Sequence, residues 1–236
     1  MTPKRSDEFP DFSMFDNDSI FKLVLQRGSK IGELFPARRD HPEDWVQIYC
    51  EIVDRNRDQI LRTIWVEICD VYETIAPTIT GLSPSRVADI GCGQAFVDLL
   101  IHRDIGADLL LIDIEESEGI HFGYKSSGAG YASLVKAREF LEANDVDPGS
   151  IQTVNPKHED LVSFGLVNLA ISLISCGFHY PAETYETFFK DQVTDAILLD
   201  VRKGRGNEAF LERFGGVSVV AEGKRHHAVL IRKTTG

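Results

Sequence analysis

Residues 87–96 read Val87-Ala88-Asp89-Ile90-Gly91-Cys92-Gly93-Gln94-Ala95-Phe96. A short apolar run ends in two glycines at alternate positions, and helical spacing of apolar residues begins directly after them. That order predicts a strand, a tight turn and a helix. Glycine at 91 and 93 opens backbone conformations closed to other residues and lets a ligand lie against the main chain, where a helix start offers free N–H groups. Two readings are open at this point: a plain strand-to-helix bend, or the floor of a site for a nucleotide-like molecule.

Moving outward, Leu109-Leu110-Leu111-Ile112 is a second apolar run that leads into Asp113. An acidic residue at the tip of a second strand can accept both ribose hydroxyls of an adenosine lying over the first loop. Further short apolar runs occupy 151–154, 169–173, 196–201, 217–221 and 228–231, with helical patterns at 95–103, 131–143, 182–189 and 207–214. Strands alternating with helices predict an α/β domain with a mostly parallel sheet covered on both faces. The last two runs have only Glu222 to His227 between them. No crossover helix fits there, so they should pair antiparallel.

Asp89 before the first glycine, and Ala95-Phe96 where a dinucleotide fingerprint carries its third glycine, favour S-adenosylmethionine over NAD as the ligand. On these residues the chain resembles the class I S-adenosylmethionine-dependent methyltransferases, whose first motif, acidic-x-Gly-x-Gly-x-Gly, is matched by residues 89–95 with Ala95 in place of the third glycine. The resemblance covers residues 83–236 and includes the closing antiparallel strand pair. It implies a Rossmann-like seven-stranded sheet, with Asp89 near the cofactor's amino group, Gly91 and Gly93 along its methionine and ribose, and Asp113 on the ribose hydroxyls. Asn155 to Leu161 resembles the family's adenine loop, with Lys157 and His158 rather than an acidic residue at the contact, which implies a backbone contact there; His158 as a plain surface residue is the competing reading. Ser172 and Leu173, at the fourth strand tip, complete the expected cofactor contacts. An NAD-dependent oxidoreductase and a non-catalytic binding protein on the same scaffold stay open as alternatives.

Ligands of open α/β sheets sit at the carboxyl ends of the strands, which puts Ser175-Cys176-Gly177-Phe178-His179-Tyr180 beside the reacting group. His179 is the expected general base, because imidazole titrates near neutrality and can take a proton from a hydroxyl. Phe178 and Tyr180 are expected to wall the substrate, as is Tyr124 in the long stretch from Ile114 to Gly130, read as a lid. His179 as a helix cap or packing residue is the competing reading. The Asn-Pro-Pro-Tyr signature of nucleic-acid amino-methyltransferases is absent from this tip. Asp200 is the one strong carboxylate for a metal near it, so no metal is expected. O-methylation of a small hydroxylated molecule, a sugar or a metabolite, is the expected reaction.

Upstream, the apolar series Ile20, Phe21, Val24, Leu25 predicts a short helix, and 43–76 carries a longer amphipathic pattern with a break near Asn56. These form an N-terminal helical cap over residues 1–82, joined through Gly81 to Pro84, with residues 1–16 as a loosely docked arm. The apolar helices suit either capping the site or pairing two subunits. Of 236 residues, 43% are hydrophobic, as expected of a globular chain able to bury a core. The 25 Lys and Arg against 37 Asp and Glu leave a net charge of −12, which argues against nucleic-acid and membrane partners and fits a small neutral or cationic substrate. Basic clusters at Arg202, Lys203, Arg205 and at Lys224, Arg225 read as solvated loops. The four cysteines form no C-x-x-C pair. With a polar N-terminus and no apolar run near ~18 residues, the expected location is cytoplasmic.

Overall fold

The computed structural model describes residues 4–26, 34–36, 43–115 and 132–234. It divides into two compact units, residues 1–72 and 73–236. Within the first, α1 (Asn17–Gln26) buries Ile20, Leu23, Val24 and Leu25. The long helix α2 (Trp45–Leu82) begins in this unit and runs into the second, so the division falls ten residues ahead of the Gly81–Pro84 joint. Asn56 leaves helical geometry at φ −124°. Its side-chain amide donates to the Ile52 carbonyl at 2.9 Å, which is how a short polar side chain competes with its own helix.

The arm is not loosely docked. Phe12 and Phe15 are buried, Arg57 donates to the Phe12 and Phe15 carbonyls, and the Trp65 indole donates to the Glu8 carbonyl. Aperiodic sequence concealed this, because the segment packs through two aromatic anchors and not through a repeating face.

The second unit holds one seven-stranded sheet: β1 (Arg86–Ile90), β2 (Asp108–Ile112), β3 (Ile151–Val154), β4 (Val167–Ser172), β5 (Val193–Arg202), β6 (Gly215–Glu222) and β7 (His226–Lys233). The spatial order is β3-β2-β1-β4-β5-β7-β6. All neighbours are parallel except β7, which runs antiparallel between β5 and β6. Helices α3 (Phe96–Ile105), α4 (Leu134–Ala143), α5 (Glu186–Asp191) and α6 (Asn207–Leu211) provide the connections. This is the mostly parallel sheet with a C-terminal antiparallel pair that the alternating runs predicted, in the Rossmann-like arrangement that the resemblance implied.

Central strands are apolar on both faces, as a doubly covered sheet requires. Ala88, Ile90, Ala170, Ile197, Leu199 and Val201 join Tyr180, Tyr185, Phe188, Phe189 and Phe210 in one core on the α5 and α6 side. Two details differ from the sequence reading. A 3-10 turn over Ala182–Tyr185 precedes α5, and the hairpin turn is only 223–225, so His226 and His227 are strand residues. Among the described residues no helix is long and apolar enough to cross a membrane.

Candidate functional site

The order β3-β2-β1-β4-β5 brings the carboxyl ends of β1, β2, β4 and β5 to one edge. At β1, Gly91, Gly93 and Ala95 all take positive φ, at 78°, 60° and 58°. The two glycines are required for different reasons. A Cβ on Gly91 would stand 2.0 Å from Ser175 Oγ, so the β4 tip itself fills that place. A Cβ on Gly93 would meet nothing within 4 Å, leaving its backbone open to a ligand. Ala95 tolerates the left-handed region as the residue that opens α3, with its amide bonded to the Cys92 carbonyl.

Asp113, just past β2, accepts the Gly93 N–H on Oδ2 at 2.9 Å. Two adjacent strand tips are thereby tied at the place where the sequence expects ribose. Burial pushes this carboxyl up to about 7, against the pull of the Gly93 and Ile114 N–H groups. The side chain is half-buried, which leaves an edge of it reachable.

Beneath the loop lies a second acid. Asp98, in the first turn of α3, is fully buried, and Asp89 is 4% exposed. Asp89 Oδ1 and both Asp98 oxygens lack a hydrogen-bond donor in the structure. Burial raises both acids, Asp98 to about 7 and Asp89 well above the ordinary range, with the Asp98 charge adding to the effect on Asp89, so the folded pair favours keeping a proton. Asp98 went unremarked in the sequence, although its place nine residues after Asp89, one turn into the helix that follows the loop, was there to be counted.

The β4 tip is held under tension. Ser172 is buried, its hydroxyl donating to the Ile90 carbonyl at 2.6 Å and accepting the Cys176 N–H at 2.9 Å. It braces β1 to β4, so a cofactor contact from its side chain has no free hydrogen. Leu173, next to it, is half-buried. Ile174 takes φ 55°, a costly conformation for a β-branched residue and one that concentrates at functional sites. Its N–H donates to the buried Asp200 carboxylate. Asn207 completes the clamp, donating to the Gly177 carbonyl and accepting the Ala182 N–H.

His179 is half-buried, its N–H on the Ser175 carbonyl at 2.8 Å and its ring edge-on to Phe178 at 4.9 Å. Tyr180 is a correction to the expected substrate wall: its ring lies in the α5 and α6 core, and only its hydroxyl reaches up, to Ser175 at 3.3 Å. His158 is exposed in a turn closed by Asn155 and Glu159, on the far side of β2 from the β4 tip. Tyr124 and most of the stretch read as a lid lie outside the described residues.

The sequence reading missed His226. Register places it opposite Arg202, and Asp200 opposite Ala228, so the period of two puts Asp200, Arg202 and His226 on one face at the β5 tip. Counting back from a three-residue turn would have found this.

No protein-family model and no curated protein matches the chain. Similar solved structures include magnesium protoporphyrin IX methyltransferase from Synechocystis with S-adenosylmethionine bound, at 12% identity over 93% of this chain and 98% of that one, TM-score 0.49. Precorrin-6y C5,15-methyltransferase from Geobacter metallireducens is similar at 16% identity, 67% and 87% coverage and TM-score 0.47. An O-methyltransferase family protein from Burkholderia thailandensis is similar at 12%, 74% and 60% coverage and TM-score 0.44. At such identities and TM-scores the likeness assigns this chain no activity. The sheet order and the antiparallel β7 between β5 and β6 give the chain the Rossmann-like fold of class I S-adenosylmethionine-dependent methyltransferases.

Proposed function

We propose that this protein is an S-adenosylmethionine-dependent methyltransferase acting on a hydroxyl oxygen of a small molecule. The observation that carries the reading is the joined pair of strand tips: an unobstructed Gly93 at φ 60°, its N–H bound to the half-buried carboxylate of Asp113. A ribose can displace that internal bond and be held by the same oxygens, while the adenosine lies on bare backbone. Asp89 is a buried acid under the loop with an oxygen awaiting a donor, which suits the cofactor's amino group. Bound here, S-adenosylmethionine supplies an already activated methyl group.

What the chain must add is a place for the acceptor's proton and a fixed line of approach. His179, on the tip that faces the glycine loop, is the proposed proton acceptor. Phe178 stands against its ring and shields it from water on one side. The strained Ile174 and the Ser172 and Asn207 clamps hold that tip in one conformation, as positioning demands.

The test is a transfer assay with methyl-labelled cofactor and a desalted low-mass metabolite extract. Label should pass into small molecules, disappear with Asp113→Ala, and drop ~10²-fold with His179→Ala, the usual scale of a general base. Label in protein or nucleic acid would overturn the substrate class. Cofactor binding without any transfer would instead favour a non-catalytic binding protein.

A further inference from the structure

The two basic clusters that read as separate solvated loops converge at the β5 tip. The Lys203 N–H donates to the Arg225 carbonyl at 3.1 Å, and Arg202 pairs with His226 across the β5–β7 ladder. Cationic side chains thus gather at one corner of a chain whose net charge is −12. Most have partners. Lys203 Nζ is held by Glu222 at 2.6 Å and by the Gly223 carbonyl, and His227, on the other face of β7, bonds Glu208 at 2.9 Å.

Arg202 is different. Its guanidinium lies over the Phe178 ring at 4.6 Å, and its Nε is buried with no acceptor. Among the described residues no carboxylate pairs with it. Asp200, two residues back on the same face, is taken by the Ile174 N–H and faces His226 Nε2 at 4.0 Å. His226 packs edge-on against Phe178 at 5.3 Å. The result is a guanidinium fork and an imidazole packed against one aromatic ring that His179 also touches.

A buried N–H without an acceptor is costly, and a guanidinium fork matches a planar or tetrahedral oxyanion. We infer that Arg202, with His226 and Phe178, forms a subsite for an oxyanion of the methyl acceptor, a carboxylate or a phosphate ester. The acceptor is then an acid that also bears the hydroxyl to be methylated, against the neutral or cationic molecule that net charge alone suggests. Net charge describes the far field, whereas this corner is local and partly desolvated. Assigning the oxyanion to the acceptor rests on the methyltransferase reading; oxyanion binding itself does not.

The experiment titrates protein carrying ¹³C-labelled histidine, saturated with S-adenosylhomocysteine, with benzoate, phenyl phosphate and benzamide, and follows the His226 Cε1–H resonance assigned through His226→Gln. Benzoate or phenyl phosphate should shift it saturably, and the tighter of the two names the oxyanion. Benzamide should bind at least ~10-fold more weakly, and Arg202→Gln should lose at least ~10-fold, the scale of one charge-assisted hydrogen-bonded pair. Arg202→Lys, which keeps charge without the fork, should fall between them and serves if the glutamine variant is unstable. Equal binding of benzamide, no saturable shift with either anion, or unchanged binding in the Arg202 variants would overturn the subsite. Failure of S-adenosylhomocysteine to bind the same sample, read by calorimetry, would count against the methyltransferase reading instead.

Discussion

Asp98→Asn perturbs the buried acid pair and nothing exposed. An unfolded aspartate titrates near ~3.9, and each pH unit of separation is worth ~1.36 kcal/mol. Asp98 keeps its proton in the folded state until about pH 7. Between those values the folded protein binds more protons than the unfolded chain, so stability falls as pH rises. That is the sign for an acid whose folded value is raised. The span corresponds to at most about 4 kcal/mol for Asp98. Asparagine keeps the shape, carries no titrating proton, and can donate its amide to Asp89. The variant should therefore be about 2 kcal/mol less stable than the parent near pH 4, the cost of imperfect amide geometry, gain on it steadily, cross it near pH 5.5 and end about 2 kcal/mol more stable at pH 8. Urea unfolding at pH 5, 6, 7 and 8 reads this as a difference in slope. Parallel stability curves for parent and variant would mean that the pair does not hold a proton, and the reading of the orphaned oxygens would fail.

Other outcomes follow from single contacts. Gly91→Ala should destabilise by ~2 kcal/mol or more, because it combines positive φ with a collision against Ser175; Gly93→Ala should cost only ~1 kcal/mol in thermal unfolding while weakening cofactor binding most. Ser172→Ala removes the tie to the Ile90 carbonyl of β1 and the acceptor of the Cys176 N–H in the tip and should lose ~1–3 kcal/mol in chemical unfolding with little effect on cofactor affinity. Because Asp113 titrates at about 7, S-adenosylhomocysteine affinity should rise from pH 6 to pH 8 in the parent, by calorimetry, and lose that dependence in Asp113→Asn.

Much of this architecture was legible from residues 87 to 231. Seven apolar runs became seven strands, because central strands covered on both faces must be apolar along their length, and the six residues 222–227 left no room for a crossover. The placing of Gly93 and Asp113 at adjacent strand tips followed from the same logic, whereas the bond between them did not. What stayed hidden has a common cause. Phe12 and Phe15 dock without periodicity, Tyr180 turned into the core past a turn closed by the Gly177 N–H on its carbonyl, and His226 gains meaning only through neighbours distant in sequence. Register supplies those neighbours, and register depends on a turn length that composition alone does not fix.

The central claim is cofactor identity, and isothermal titration calorimetry tests it most directly, with S-adenosylhomocysteine and NAD each titrated into the parent and into Asp113→Ala. One S-adenosylhomocysteine should bind per chain, at least ~10-fold more weakly to Asp113→Ala, as the loss of a carboxylate accepting two hydroxyls requires, with no heat from NAD. Binding of NAD alone, or S-adenosylhomocysteine affinity unchanged by Asp113→Ala, would contradict it.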